Sequence, residues 1–200
     1  MLAIIGTGVQ ARSHARALTR VMEFREVRVT GRDPAKATGL AEQLSTELSI
    51  GARGVESYRE ALDGADVVCA TTHALDPVVR RQWVGPGTHV NSVGLNPRGR
   101  EVDAETVRDA LVVVESRASA LAPAPAGANE LTWAIRDGVI DERHVHAEIG
   151  EILSGTRPGR TSPQQITLYK SVGVAAQDAA AAALVLAEAE RRDIGRRVEL

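Results

Sequence analysis

Leu2-Ala3-Ile4-Ile5-Gly6-Thr7-Gly8-Val9-Gln10-Ala11 leads into a helical pattern over Arg12 to Met22, then into the alternating segment Val27-Arg28-Val29-Thr30, closed by Gly31-Arg32-Asp33. The order is strand, glycine turn, helix, strand. Gly6 permits a tight turn. Gly8 has no side chain, so the backbone there can come close to a pyrophosphate. Ala11 holds the third small position, where helix and strand pack closely. The start of the helix offers free N–H groups and the positive end of its dipole to phosphate oxygens. A lone glycine pattern is weak evidence. This one follows a strand, opens a helix and reaches a second strand at the spacing of a dinucleotide-binding unit, so Gly6, Gly8, Val9 and Gln10 are expected to hold a diphosphate.

The end of the second strand selects between cofactors. A ribose 2′-hydroxyl calls for a carboxylate there, whereas a 2′-phosphate calls for an arginine and small hydroxyl residues. Arg32 occupies that place and Thr30 adds a hydroxyl, while Asp33 precedes Pro34 and reads as the N-cap of the next helix. NADP is therefore expected ahead of NAD. The alternative is that Asp33 turns inward and takes the ribose.

Further along, Pro34 to Leu48 reads as an amphipathic helix, Ile50 to Val55 as a short strand, and Ser57 to Leu62 as a capped helix. Ala65 to Thr71 is almost continuously apolar, as a parallel strand buried on both faces must be. Thr71 and Thr72 follow at its carboxyl end, where doubly wound sheets bind their ligands. Thr88 to Val93 is the fifth strand, followed by a loop from Gly94 to Asp103, a helix from Ala104 and a sixth strand at Leu111 to Glu115. The repeated strand–helix pairs predict an α/β fold with a doubly wound parallel sheet. Residues 1–145 are read as a Rossmann dinucleotide-binding domain, with Ser116 to Ala128 as a connection and Glu130 to Arg136 as a helix. Residues 146–200 are read as a C-terminal helical and strand appendage. It holds a helical run at Glu148 to Leu153, a last strand at Ile166 to Lys170, and an alanine-rich helix from Val174 to Arg192 whose small residues suit a partner helix.

Composition narrows the function classes. A net charge of −2 and 2% aromatic residues supply neither the electrostatics nor the stacking platforms that nucleic-acid binding needs. Cys69 is the single cysteine, so no internal disulfide can form, and its apolar run makes it a core residue rather than a nucleophile. No metal-ligand spacing is present. No apolar stretch reaches the length of a membrane span, and Leu2 to Ile5 is too short for a signal peptide. A cytoplasmic protein with no membrane partner is expected.

Four motifs in one order carry a resemblance: Gly6 to Ala11, Gly94-Leu95-Asn96-Pro97-Arg98-Gly99-Arg100-Glu101-Val102-Asp103, Glu148 to Gly155, and Leu168-Tyr169-Lys170-Ser171-Val172-Gly173-Val174-Ala175-Ala176-Gln177-Asp178. Together they resemble the ornithine cyclodeaminase/mu-crystallin family over essentially the whole chain. The resemblance implies NAD or NADP as cofactor, an amino-acid or imine substrate, and a homodimer. It implies that Thr71 and Thr72 border the adenine or its ribose, that Ser92, Val93 and Gly94 lie along the nicotinamide ribose, and that Ser171, Val172 and Gly173 close over the nicotinamide. Asn96 stands where the cyclodeaminase branch carries its acid/base aspartate, and an amide cannot exchange a proton as a carboxylate can. Hydride transfer between NADP(H) and an imine or amino acid is therefore expected ahead of cyclodeamination. The family also has a segment ahead of the glycine turn that supplies dimer contacts and basic residues for the substrate carboxylate. Here the first strand starts at Leu2, leaving Arg98 and Arg100 as the internal candidates. A cofactor-gated binding protein and a truncated, non-catalytic nucleotide binder are the alternatives.

Overall fold

The computed structural model describes residues 1–196 and 198. Among them, eight strands form one sheet: β1 (Leu2–Ile5), β2 (Val27–Thr30), β3 (Ala52–Gly54), β4 (Val67–Ala70), β5 (His89–Ser92), β6 (Leu111–Val114), β7 (Val145–Glu148) and β8 (Thr167–Lys170), in the order β3-β2-β1-β4-β5-β8-β6-β7. Every pairing is parallel. The helices are α1 (Val9–Val21), α2 (Pro34–Leu48), α3 (Tyr58–Leu62), α4 (Ala104–Asp109), α5 (Arg117–Ala120), α6 (Asn129–Arg136), α7 (Ile149–Leu153) and α8 (Ala175–Arg192). This is the expected doubly wound sheet, and its order reverses between β1 and β4.

Alternation along the strands builds two cores. Leu2, Ile4, Val27, Val29, Val67 and Cys69 face Ala11 and Ala15 of α1 and Leu40 and Leu44 of α2. Ala3, Ile5, Val68, Ala70, Val90, Val112 and Leu168 face the other way, towards α3, α4 and α6. Parallel strands need cover on both faces, which explains why the short β1 and β4 are wholly buried.

Several elements differ from the sequence reading. Helix α1 starts at Val9, because the glycine turn runs straight into it with Gly8 as N-cap. The third strand is confined to Ala52–Gly54. A Cβ on Gly54 would sit 2.8 Å from the backbone of Thr38, so β3 and α2 approach as only glycine allows. The Ser116–Ala128 connection contains α5, capped by Ser116. Val145 to Ala147, unassigned from sequence, and Glu148, read as the start of a helical run, form the edge strand β7, so a division at residue 145/146 passes through a strand. The last strand, β8, lies inside the sheet between β5 and β6. Of the C-terminal segment, it is α8 that stands away from the body of the fold: none of its residues is buried, and Leu184, Val185 and Leu186 are 74%, 69% and 61% exposed.

Candidate cofactor site

The glycine turn joins β1 to α1 at the carboxyl end of the sheet. Gly6 has φ +119°, and a Cβ there would lie 2.5 Å from Thr71 Oγ1 and 2.9 Å from Thr71 O. The Thr71 hydroxyl in turn donates to Ile5 O at 2.8 Å. Thr71 thus fastens the turn to β4 from beneath, which makes it a support of the site. Gly8 is different: a Cβ there would meet no protein atom within 4 Å. Helix α1 begins at that open space with no side-chain cap and no acidic residue in its first turn. Val9 is 85% exposed and Gln10 is exposed. Thr7, Gly8, Val9, Arg12, Ser13 and Arg16 line a depression of about 500 Å³. Uncapped N–H groups and a positive dipole end beside an unfilled space fit a diphosphate; on the rim, Arg16 is paired with Glu47 and Arg12 is bonded to Gln43.

At the end of β2, Asp33 is the N-cap of α2 and its Oδ1 accepts the Lys36 N–H at 3.2 Å. Its carboxylate is engaged there, and Arg32 beside it is exposed. Thr30 departs from expectation. It is fully buried, with its hydroxyl unpartnered inside the fold, because both faces of the sheet are covered at the end of β2; it does not join Arg32 at the surface.

The carboxyl ends of β4, β5 and β8 meet around three buried ionisable residues. Glu101 accepts N–H bonds from Thr72 and, at 2.8 Å, from Gly94, and the Ser92 hydroxyl at 3.0 Å. Lys170 Nζ donates to Gly94 O at 2.6 Å and to Ser92 Oγ at 3.2 Å, and pairs with Glu130 Oε2 at 3.2 Å. Glu130 Oε1 accepts the Glu101 N–H at 2.8 Å. Ser92, expected along the nicotinamide ribose, is instead fully buried in this cluster. Gly94 must be glycine, since a Cβ would collide with Thr72 O. Val93, whose N–H donates to Ala70 O at 3.0 Å, keeps partial exposure at the strand end.

Asn96 also departs from expectation. Its amide nitrogen donates to His73 O at 2.9 Å and to Ala74 O at 3.2 Å, and its oxygen accepts the Arg98 N–H at 2.9 Å. The side chain ties the β5 loop to the turn after β4. Asn129 adds bonds to Asn96 O and Gly99 O at 2.8 and 3.0 Å. Of the candidate carboxylate clamps, Arg98 is exposed, while Arg100 lies 5.8 Å over the Trp133 ring with its Nη1 buried and unpartnered.

After β8, Ser171 to Gly173 wrap around Glu115. The Ser171 hydroxyl and the Gly173 N–H (2.9 Å) both donate to its Oε1, and the Val172 N–H reaches Oε2 at 3.4 Å. These residues were expected to close over the nicotinamide; here their donors are occupied by a protein carboxylate. Sequence reasoning missed Glu101, Glu115 and Glu130, and left Lys170 unassigned. Charged residues read as surface residues, and only their meeting across distant segments explains their burial. Cys69 is buried as expected, and desolvation pushes its thiol up to about 12.

Residues 1–193 match the profile of the ornithine cyclodeaminase/mu-crystallin family. The chain is 36% identical to the ketimine reductase mu-crystallin of Mus musculus over 92% of its own length and 54% of that protein, and 34% identical to the Delta(1)-pyrroline-2-carboxylate reductase of Bacillus cereus over 99% and 60%. The Thermococcus litoralis Delta(1)-pyrroline-2-carboxylate reductase, solved with NADH and L-proline, superposes with a TM-score of 0.93 at 39% identity, covering 98% of this chain and 60% of that one. An archaeal alanine dehydrogenase dimer with bound NAD superposes with a TM-score of 0.89 at 32% identity, over all of this chain and 60% of that one. The chain thus spans somewhat over half the length of these relatives. Its glycine turn, its parallel sheet and these matches agree: the chain belongs to the ornithine cyclodeaminase/mu-crystallin family.

Proposed function

We propose that this chain is the NADP(H)-binding part of an oxidoreductase that transfers hydride between the nicotinamide and the carbon of an imine or amino acid. One observation carries the nucleotide reading: the uncapped start of α1 opens at Gly8 onto space that no protein atom fills, at the point where the strand order reverses. When bound, the nicotinamide supplies the redox chemistry. The protein's part is to grip the diphosphate through the first turn of α1 and to present the ends of β4, β5 and β8 to the ring. The activities for which these relatives are named, ketimine reductase and pyrroline-carboxylate reductase, support an imine as substrate. A homodimer is proposed by analogy with the alanine dehydrogenase dimer.

NADP is proposed over NAD because Asp33 is occupied as a helix cap while Arg32 stands exposed. Fluorescence titration should give tighter binding of NADPH than of NADH. Arg32→Ala should weaken NADPH roughly tenfold, about 1.4 kcal/mol, and leave NADH nearly unchanged. Tighter NADH binding by the unaltered protein would reject the preference. Cyclodeamination is not favoured, because the Asn96 amide has no transferable proton and is held by three backbone groups. Incubation with cyclic imines and NADPH, against ornithine with either cofactor, separates the two chemistries; proline formed from ornithine would overturn the reductase assignment.

A further inference from the structure

Lys170 has three ammonium protons, and three acceptors surround it: Gly94 O, Ser92 Oγ and Glu130 Oε2. Glu101 faces it across the same glycine and takes the Gly94 N–H. Both backbone polar groups of Gly94 are therefore held by buried, oppositely charged side chains. Glu101 also holds the Thr72 N–H, so the exits of β4 and β5 are fixed against each other, and Lys170 fixes the β5 exit to β8. Glu130 closes the arrangement from α6 by pairing with Lys170 and accepting the Glu101 N–H. Lys170 is fully buried, and Glu101 and Glu130 are 2% and 3% exposed.

Stability alone does not account for this cluster. Desolvating three charges is expensive, and apolar residues of similar volume commonly serve a core as well or better. What the charges add is direction. Apart from the Lys170–Glu130 pair, the bonds are aimed at backbone groups or a hydroxyl at or beyond the strand ends where a dinucleotide would end, and a fully satisfied buried network holds one geometry.

We propose that Lys170, Glu101 and Glu130 are positioning residues that fix the Gly94 peptides as the seat of the nicotinamide end of the dinucleotide. The inference rests on the nucleotide reading above. The diphosphate end is gripped by α1, which these residues do not contact, so their loss acts on one end of the ligand.

The test compares NADPH with 2′-phospho-ADP-ribose, the same ligand without its nicotinamide. The double variant Lys170→Met/Glu130→Gln removes the ammonium together with the carboxylate it pairs with, and leaves Glu101 on the Thr72 and Gly94 N–H groups and the Ser92 hydroxyl. Glu101→Gln, with unchanged volume, is the second variant should the first fail to fold. Native protein should bind NADPH more tightly than the fragment and enhance the emission of the reduced nicotinamide. In either variant the preference for NADPH should fall about tenfold and the enhancement should fade, while fragment affinity changes less than about threefold. A general loosening of the fold would weaken both ligands alike and leave their ratio in place. A preserved ratio and a preserved enhancement in a folded variant overturn the proposal. Failure of the native protein to bind either ligand removes the nucleotide reading, and this inference with it.

Discussion

Gly6 and Gly8 stand two residues apart under opposite constraints. At Gly6 a Cβ would collide with Thr71 in a left-handed backbone region, so Gly6→Ala should destabilise the fold by about 1–3 kcal/mol, read as a lower urea midpoint. At Gly8 a Cβ meets nothing and φ is −92°. Gly8→Ala should therefore change stability by less than about 0.5 kcal/mol and still weaken NADPH binding by tenfold or more. Normal NADPH binding by the Gly8→Ala protein would show that the diphosphate lies elsewhere. The turn at Gly6 was legible from sequence because a backbone with positive φ favours glycine. Thr30 and Ser92 were misplaced for another reason. A hydroxyl at a strand end advertises contact with a ligand, but whether it is reachable depends on what covers that face of the sheet, and both side chains are covered.

Among the elements, those announced by local chemistry were readable. Asp33, Ser57 and Asp103 cap α2, α3 and α4. Asp103 does more than the motif requires, since Oδ1 accepts the Thr106 N–H and Oδ2 the Arg81 N–H, each at 2.9 Å. It joins α4 to the 3₁₀ turn at Arg81–Trp83. Asp103→Ala should cost about 1–2 kcal/mol, measured by denaturant unfolding; a smaller loss than Ser57→Ala would mean the second bond contributes nothing. Strand β7 was not readable. Val145-His146-Ala147-Glu148 offers only two apolar positions, and its last residue is already the N-cap of α7, in a capping box with Glu151. The place of β8 was also beyond reach, because periodicity gives a strand's existence and not its neighbours.

At the scale of the molecule, His89 links β5 to β8 on one face of the sheet. Its Nδ1 contacts Thr167 Oγ1 at 2.7 Å and its Nε2 contacts Asn91 Oδ1 at 3.2 Å. Burial holds its pKa below the ordinary 6.5, Asn91 opposes that shift, and the charge of Arg160 adds to it. Between the depressed folded value and 6.5 the unfolded chain binds the extra proton, so stability is complete above about 6.5 and declines as pH falls through that window. His89→Gln should flatten this part of the profile in urea unfolding between about pH 7.5 and about pH 5. An unchanged slope would place the acid sensitivity in other groups. No described helix is long and apolar enough to cross a membrane.

The interior position of β8 has a bearing on biosynthesis. Among the described residues, β6 and β7 connect to the remaining strands through β8 alone, yet its residues leave the ribosome after those of the other seven strands. A nascent chain stopped just ahead of Thr167 would hold two strips of sheet with raw facing edges, each a template for another chain. Completion of the sheet must await the emergence of Thr167 to Lys170, and until then the growing polypeptide depends on speed or on chaperones to avoid mispairing.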